Sequence, residues 1–567
     1  MDKYEQLLKN WCDSLIALQI RGYGAPHDGG FLCPACTAIH GRADNAFYPF
    51  LYLYKTTGDH RYYEAAELVF HWHSRMLTRE RAAYNDLNNL WTGTTTFSTI
   101  GYYKALTKTG DVMAPELKTA VETRLSEAAV WVYENMRLPM KFSTNINYYA
   151  AAATVFADCG TYLHKPEYLD EARKMIDYCM GYFAEDGLFI GEGFPHNEVT
   201  ARGCRPVDMG YDLEESIPCL AEAAEVLNDE PLERKLAELM VKNLTFILPD
   251  GGIDNSFGSR NNKWTYWGSR TSDGCIAALM QLGKYAPVLY EAAYRNADLL
   301  LSCTKDGLLY GGRDYIRLGL KPCTHHSFCH AVALADALQE GLSEAQHNVL
   351  GKQTLPCEQP GPALIHFPEI DTYRVRFGNF LADITAYDYR TYTFEKGAAH
   401  ASGGTMTLLY HMERGPVIAG STLDYQQTEP LNMQAPVLSL PHAPLIPRIT
   451  FTDENGLYQS CLERNVTMAA AQTEAGITIS VTADNYTLEY RFTAEGLQIF
   501  ARISGLDTGL KKDPAFILPI IENTLVPETQ NRFTKRQIYW LAGGFAAEEY
   551  TILPDEKGEI RVMLKAE

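Results

Sequence analysis

Three stretches of this chain repeat one local pattern. GDHRYYEAAELVFHW (58–72), KPEYLDEARKMIDYC (165–179) and APVLYEAAYRNADLLL (286–301) each run from a polar turn through a tyrosine into Glu-Ala-Ala or Glu-Ala-Arg, and then into an apolar helix. A helical unit that recurs cannot bury its apolar face alone, so it stacks on its neighbours; the repeat therefore restricts this part of the chain to helical hairpins. About six hairpins fit before residue 350, which predicts an (α/α)6-type helical toroid with inner and outer rings around a central cleft. The loops 23–45, 85–97, 186–212 and 251–274, rich in Gly, Asn, Trp and His, would line that cleft, and loops on a rigid scaffold are where function concentrates.

After QTLPCEQPGPALIHFPE the pattern changes. RVRFGNFLADITAYDYRTYTF, GGTMTLLYH, GPVIAGSTLDY, ITISVTADNYTLEYRFTA and LQIFARISG alternate apolar and polar residues and are rich in Val, Ile, Thr and Tyr. That is the signature of antiparallel strands. The expected fold is multi-domain α+β: a toroidal catalytic domain over 1–350 and an antiparallel β-sandwich over 351–567, packed to close one side of the cleft.

Composition narrows the function. A net charge of -20 over 567 residues speaks against nucleic acid or an anionic membrane as partner, yet leaves room for an anionic small substrate where arginines cluster. The first residues, MDKYEQLLKNWCDSLIALQIRGYG, read as an amphipathic helix rather than an export signal, and no run of about 18 apolar residues occurs. A soluble, cytoplasmic protein is expected. Thirteen scattered cysteines fit a reducing compartment better than a disulfide framework. Cys33-Pro-Ala-Cys36 has the spacing of half a zinc site, but no second pair stands at a suggestive distance and Cys323 with Cys329 is not a standard completion, so buried thiols and no metal or cofactor are expected.

RNNKWTYWGSRTSDG (260–274) concentrates the binding chemistry. Arg260 and Arg270 can grip a carboxylate through paired hydrogen bonds, Trp264 and Trp267 offer flat faces for a sugar ring, and Asp273 can bind hydroxyls. IHGRADNAFYPFLYLY (39–54) adds His40, Arg42 and Asp44, and NDLNNLWTG (85–93) adds Asn88, Asn89 and Trp91. In PCTHHSFCHAVALADAL (322–338), His326 suits hydroxyl or proton handling better than a metal site shared with His330, since no HExxH or nearby carboxylate accompanies it. VDMGYDLEESIPCLAEAAEVL (207–227) sets Asp208, Asp212, Glu214 and Glu215 at a helix start, where the dipole favours carboxylates. Successive helical residues diverge by about 100°, so only one of Glu214 and Glu215 is expected to face a cleft. No GxGxxG, P-loop or GxSxG motif is present, which argues against dinucleotide, ATP and serine-hydrolase chemistry.

The layout resembles the heparinase II/III-like superfamily. TNINYYAAAATVFADCG (144–160) is similar to that family's asparagine loop and Ala-rich helix, DGLFIGEGFPH (186–196) to its Glu-to-His segment, and AAHASGGTMTLLYHMERGPVIAGSTLDY (398–425) to the strand pair carrying its histidine. The resemblance implies β-elimination at a uronate, with Asn147 on the carboxylate, Tyr148 or Tyr211 removing the proton and His400 supplying one to the leaving oxygen, and with His196 in the matching Glu-to-His segment. Two motifs differ: Asn147-Tyr148-Tyr149 stands where many members have Asn-His-Gly, and His400-Ala-Ser-Gly where they have His-x-Asp. With those signatures changed and acidic residues plentiful, the sequence favours hydrolysis by paired carboxylates. Glu215 or Glu214 would be the acid and Asp273 or Glu192 its partner, in an exo-acting β-glucuronidase similar to glycoside hydrolase family 154. A uronate lyase and a non-catalytic carbohydrate-binding protein are the alternatives. The expected partner is an acidic oligosaccharide, with a homo-oligomer left open.

Overall fold

The computed structural model describes residues 1–86, 89–390, 400–425 and 439–567. Twelve helices build its first part: α1 (Lys3–Leu18), α2 (Phe47–Thr57), α3 (His60–Arg75), α4 (Thr95–Thr109), α5 (Pro115–Met136), α6 (Ile146–Tyr162), α7 (Pro166–Met180), α8 (Ile217–Val226), α9 (Glu230–Asn243), α10 (Ile276–Leu282), α11 (Val288–Ser302) and α12 (Thr324–Gln339). Two shorter helices, Arg313–Arg317 and Glu344–Leu350, flank α12. Helices α2, α4, α6, α8, α10 and α12 each touch the next, and α12 returns to α2, closing an inner ring. An outer helix backs each one, in the pairs α2–α3, α4–α5, α6–α7, α8–α9, α10–α11 and α1–α12.

The repeated sequence pattern falls on the outer helices α3, α7 and α11. Asp59 caps α3 through the Arg61 amide, and Pro166 begins α7, where its missing N–H costs nothing. The small residues of the pattern, Ala65, Ala66, Ala172, Ala292 and Ala293, are buried and let the outer helix approach the inner one closely. Its glutamates make ties: Glu171 accepts from the Leu138 amide at 2.7 Å, Glu291 pairs with Arg295 at 2.8 Å, and the exposed Glu64 lies 3.4 Å from His60.

From Ala363 onward the described residues build antiparallel sheets. The first sheet is a meander of β1 (Ala363–Phe367), β2 (Thr372–Phe377), β3 (Phe380–Thr385), β4 (Thr405–His411) and β5 (Gly415–Ala419). The second has the order β7 (Gly456–Gln459), β6 (Arg448–Asp453), β12 (Lys512–Ile521), β14 (Phe545–Ile552), β13 (Phe533–Trp540). The third runs β8 (Thr467–Thr473), β9 (Gly476–Thr482), β10 (Tyr486–Thr493), β11 (Gly496–Ile503), β15 (Glu559–Lys565). All pairings are antiparallel among the described residues. Residues 391–394 of the first predicted strand stretch lie outside the described residues, as does Asn88.

One apolar core fills the toroid and continues into the sheets through Phe367, Leu381, Leu408 and Phe545, while a second lies between the sheets. Arg374 of β2 bolts the two parts together. It holds Asp383 with both oxygens, at 2.7 and 2.6 Å, and reaches across to Asp254 and the Thr245 carbonyl, with the Phe246 ring under its guanidinium.

Candidate active site

The floor of the cleft is an interrupted helix. Met209–Tyr211 is α-helical, Asp212–Ser216 forms a π-turn in which the Ile217 amide donates to the Asp212 carbonyl, and α8 follows. Pro218 has no N–H with which to continue the ordinary ladder, which favours the wider turn here. Both Glu214 and Glu215 are buried, at 0% and 2% exposure, and they take different partners. Glu214 accepts from the Ser269 amide at 2.6 Å and Ser272 Oγ at 2.5 Å, and His330 Nε2 stands 3.3 Å away. Glu215 instead accepts from Asn147 Nδ2 at 2.6 Å.

That hydrogen bond joins a continuous polar cluster. Asn147 sits in the first turn of α6, and its backbone N–H donates to Glu192 Oε1 at 2.8 Å. The other oxygen of Glu192 accepts from Arg260 Nη1 at 3.0 Å. The Arg260 guanidinium stacks 3.7 Å over the Tyr211 ring, with Lys263 Nζ 6.0 Å from the same ring. Asp208 locks this corner by accepting from the Arg260 and Tyr211 amides, and the Tyr211 hydroxyl meets Thr271 Oγ1. Burial pushes Glu192 up to about 7, outweighing Arg260, and Glu215 up to about 8, with Asp273 adding to the rise and Arg42 opposing it.

Tyr148, beside Asn147, accepts from Trp91 Nε1 at 2.6 Å, and both rings are half-buried at the cleft wall. Burial first, and Glu215 second, push the Tyr148 phenol well above its usual range. Arg42 is committed to Asp273 and to the Thr271 carbonyl at 3.0 Å. Beneath Glu215 and Asp273 a cavity of about 450 Å3 continues between the inner helices toward Lys104, Glu222 and Asp336.

Several expected ligands are turned elsewhere. Trp264 and Trp267 are fully buried and show no face to a sugar. Trp264 packs on Phe545 and donates to the Ile253 carbonyl at 2.8 Å, while Trp267 stands edge-on to His330 and donates to the Tyr310 carbonyl at 2.8 Å. Arg270 reaches the sandwich instead of the cleft, donating to the Leu541 carbonyl at 3.3 Å. Asp44 faces His73 on α3 at 3.3 Å. Asn89 closes its own turn by accepting from the Trp91 amide at 3.1 Å. His196 lies in an aromatic box, bonded to the Tyr178 hydroxyl at 2.8 Å and packed on Tyr149. His326 is buried against Trp267 with neither ring nitrogen hydrogen-bonded among the described residues, and burial holds it neutral. His40 turns away from the cleft toward Cys323 and Asp86, at 3.3 and 3.4 Å.

The sandwich contributes His400 and two tyrosines that sequence reasoning passed over. Tyr387 stacks on His400 with ring centres 4.6 Å apart, donates to the Arg205 carbonyl at 2.6 Å and accepts from the Val207 amide at 3.2 Å, next to Asp208. Tyr389 accepts from the Phe194 amide at 3.2 Å, two residues past Glu192. His400 Nε2 has no hydrogen bond among the described residues, and burial lowers the ring to about 4, leaving a neutral imidazole. The tyrosines fell in an alternating strand pattern that cannot distinguish a core ring from a site ring.

A helical toroid closed by antiparallel sheets, with Asn147, Glu192, Arg260 and Tyr211 gathered in one cluster, is an architecture of the heparinase III kind. Heparinase III superposes with a TM-score of 0.56 at 11% identity, over 99% of this chain and 85% of that one. The Streptomyces coelicolor A3 chondroitin AC lyase, solved in complex with chondroitin sulphate, superposes with 0.50 at 12% identity, over 99% and 82%. At such identities these matches speak for the fold alone. In sequence, the ulvan lyase N-terminal domain matches residues 8–356 and the ulvan lyase C-terminal domain residues 364–539. A broad-specificity ulvan lyase of Formosa agariphila is 33% identical over 534 residues, 91% of this chain and 82% of that protein. The chain belongs to the ulvan lyase family. This overturns the glycoside hydrolase and β-glucuronidase expectation, and the suspected kinship with glycoside hydrolase family 154 gains no support from these matches.

Proposed function

We infer that this protein cleaves an acidic, uronate-containing polysaccharide of the ulvan type by β-elimination. The observation that carries the reading is the Asn147–Glu215–Glu192–Arg260–Tyr211 cluster, in which Glu215 and Glu192 already have internal partners, as Glu214 and Asp273 do outside it. Paired carboxyl groups for hydrolysis must face an open gap of about 5–9.5 Å holding the sugar and, for inversion, a water. Glu214 is instead tied to Ser269 and Ser272, and Asp273 to Arg42.

The same groups suit elimination. With Glu215 raised to about 8, the carboxyl is largely protonated at neutral pH, so it and the Asn147 amide can together receive a uronate carboxylate. Neutralising that carboxylate makes the C5 proton more acidic. Tyr211, acting as the phenolate, takes that proton and becomes the neutral phenol, and Arg260 over the ring is the cation placed beside the phenolate. The electrons form the C4–C5 double bond, the C4–O bond breaks, and Tyr148, held protonated, supplies the proton to the leaving oxygen.

Incubation with ulvan, following ultraviolet absorbance and product mass, tests this. Absorbance of an alkene conjugated to a carboxylate, in products whose masses sum to the substrate without added water, is the expected result. Products heavier by one water with no new absorbance would return the protein to hydrolysis.

A further inference from the structure

Four side chains outside the cleft converge at the seam where α12 meets the segment leading into α2. Cys33 Sγ lies 3.7 Å from Cys323 Sγ, Cys36 Sγ 3.9 Å from Cys323 Sγ, and His40 Nε2 3.3 Å from Cys323 Sγ; all four ligand atoms fall within 4.8 Å of one another. For zinc, bonds of about 2.3 Å to sulfur and about 2.05 Å to nitrogen give tetrahedral edges of about 3.8 Å between sulfurs and about 3.6 Å between sulfur and nitrogen. The observed separations are those edges to within a few tenths of an ångström. A disulfide would require about 2.05 Å.

Two further observations point the same way. The turn Cys33–Thr37 is wound so that the Thr37 amide donates to the Cys33 carbonyl at 2.8 Å, and Thr37, a β-branched residue, is held at φ 53°. Such a residue enters the left-handed region only when its surroundings impose it, and here the winding turns both thiols of the Cys-Pro-Ala-Cys stretch toward Cys323. Secondly, His40 presents Nε2 to the thiols while its Nδ1 stands 3.4 Å from Asp86 Oδ1, and a carboxylate behind the far nitrogen is the usual support of a metal-bound imidazole.

We propose that Cys33, Cys36, His40 and Cys323 hold a structural zinc ion. Four protein ligands, three of them buried, leave no open position for a substrate, so the ion is a staple and not a catalyst. Three thiolates and a neutral imidazole around Zn2+ carry one net negative charge. The ion would clip residues 33–40 to the start of α12, between segments 290 residues apart, and so fix the ring at the junction of its first and last inner helices.

The test is elemental analysis of the full chain, purified without chelator and with no metal-binding tag. About one zinc per chain is expected, falling below about a tenth in Cys36→Ser, whose position is only half-buried and so tolerates change, and in Cys323→Ser. Cobalt reconstitution should give the visible bands of a tetrahedral site together with thiolate charge transfer, and chelation should lower the wild-type melting temperature by about 10 °C. These readouts stand whatever reaction the enzyme performs. A folded wild-type chain without zinc, iron in its place, a Cys33–Cys323 disulfide found by alkylation and mass spectrometry, or full zinc content in Cys36→Ser would each overturn the proposal.

Discussion

Trp267 separates a sugar platform from a core residue, and Trp267→Phe decides between them. The indole is 0% exposed, stands edge-on to the His330 ring at 4.5 Å and the His326 ring at 5.3 Å, and its N–H donates to the Tyr310 carbonyl at 2.8 Å. Phenylalanine removes roughly 40 Å3 of ring; at about 24 cal/mol per Å3 of residual cavity this costs about 1 kcal/mol. Leaving the Tyr310 carbonyl without its donor costs about 1 kcal/mol more. The variant should therefore lose about 2 kcal/mol of stability, read as a lower urea midpoint by circular dichroism, while KM for the polysaccharide changes less than about twofold. An unchanged midpoint with KM raised about tenfold, the signature of a lost binding contact, would refute the reasoning.

Tyr211→Phe should lower kcat by about 10²–10⁴-fold with little change in KM, measured by alkene absorbance; retention of half the wild-type rate would remove Tyr211 from proton transfer. Arg374→Met leaves Asp254 and Asp383 buried without their cation, and should cost about 3–5 kcal/mol in denaturant unfolding. Glu192 and Glu215 are both raised above 4.5 in the folded protein, so the folded state binds more protons than the unfolded one between about pH 4.5 and 8. Stability should be greatest below that window and fall as pH rises through 7 and 8. Glu192→Gln should flatten the fall by about 3 kcal/mol, and a midpoint that rises across the same window would contradict the burial argument.

The architecture was legible because it rests on periodicity. Ala65, Ala172 and Ala292 repeat one packing solution in three outer helices, and a 3.6-residue pattern giving way to alternation needs no knowledge of contacts. The site was legible only in part. Asn147, Tyr211 and Arg260 were picked out and fall in one cluster joined through Glu192, but Trp264 and Arg270 serve the joint between toroid and sandwich and Trp267 is buried inside the toroid. Composition reports what a segment contains, not which way it faces. The hydrolase expectation, overturned by the family match, has the same root: carboxylates at a helix start look available until Ser269, Ser272 and Asn147 are seen to occupy them. The cysteine cluster escaped because Cys323 stands 287 residues from Cys36, and no spacing rule spans a ring closure.

The closure of the ring has a consequence for synthesis. Helix α1 buries Leu7, Leu8, Trp11 and Leu15, and its hairpin partner is α12, which begins only at Thr324. At about 5–20 residues per second, a ribosome takes roughly 15–60 s to travel from one to the other. Throughout that interval five hairpins can form in order, but the apolar face of the first helix waits for a partner not yet made. The nascent chain is thus an open arc with an adhesive end, and it is the final helix, not the first, that turns the arc into a vessel.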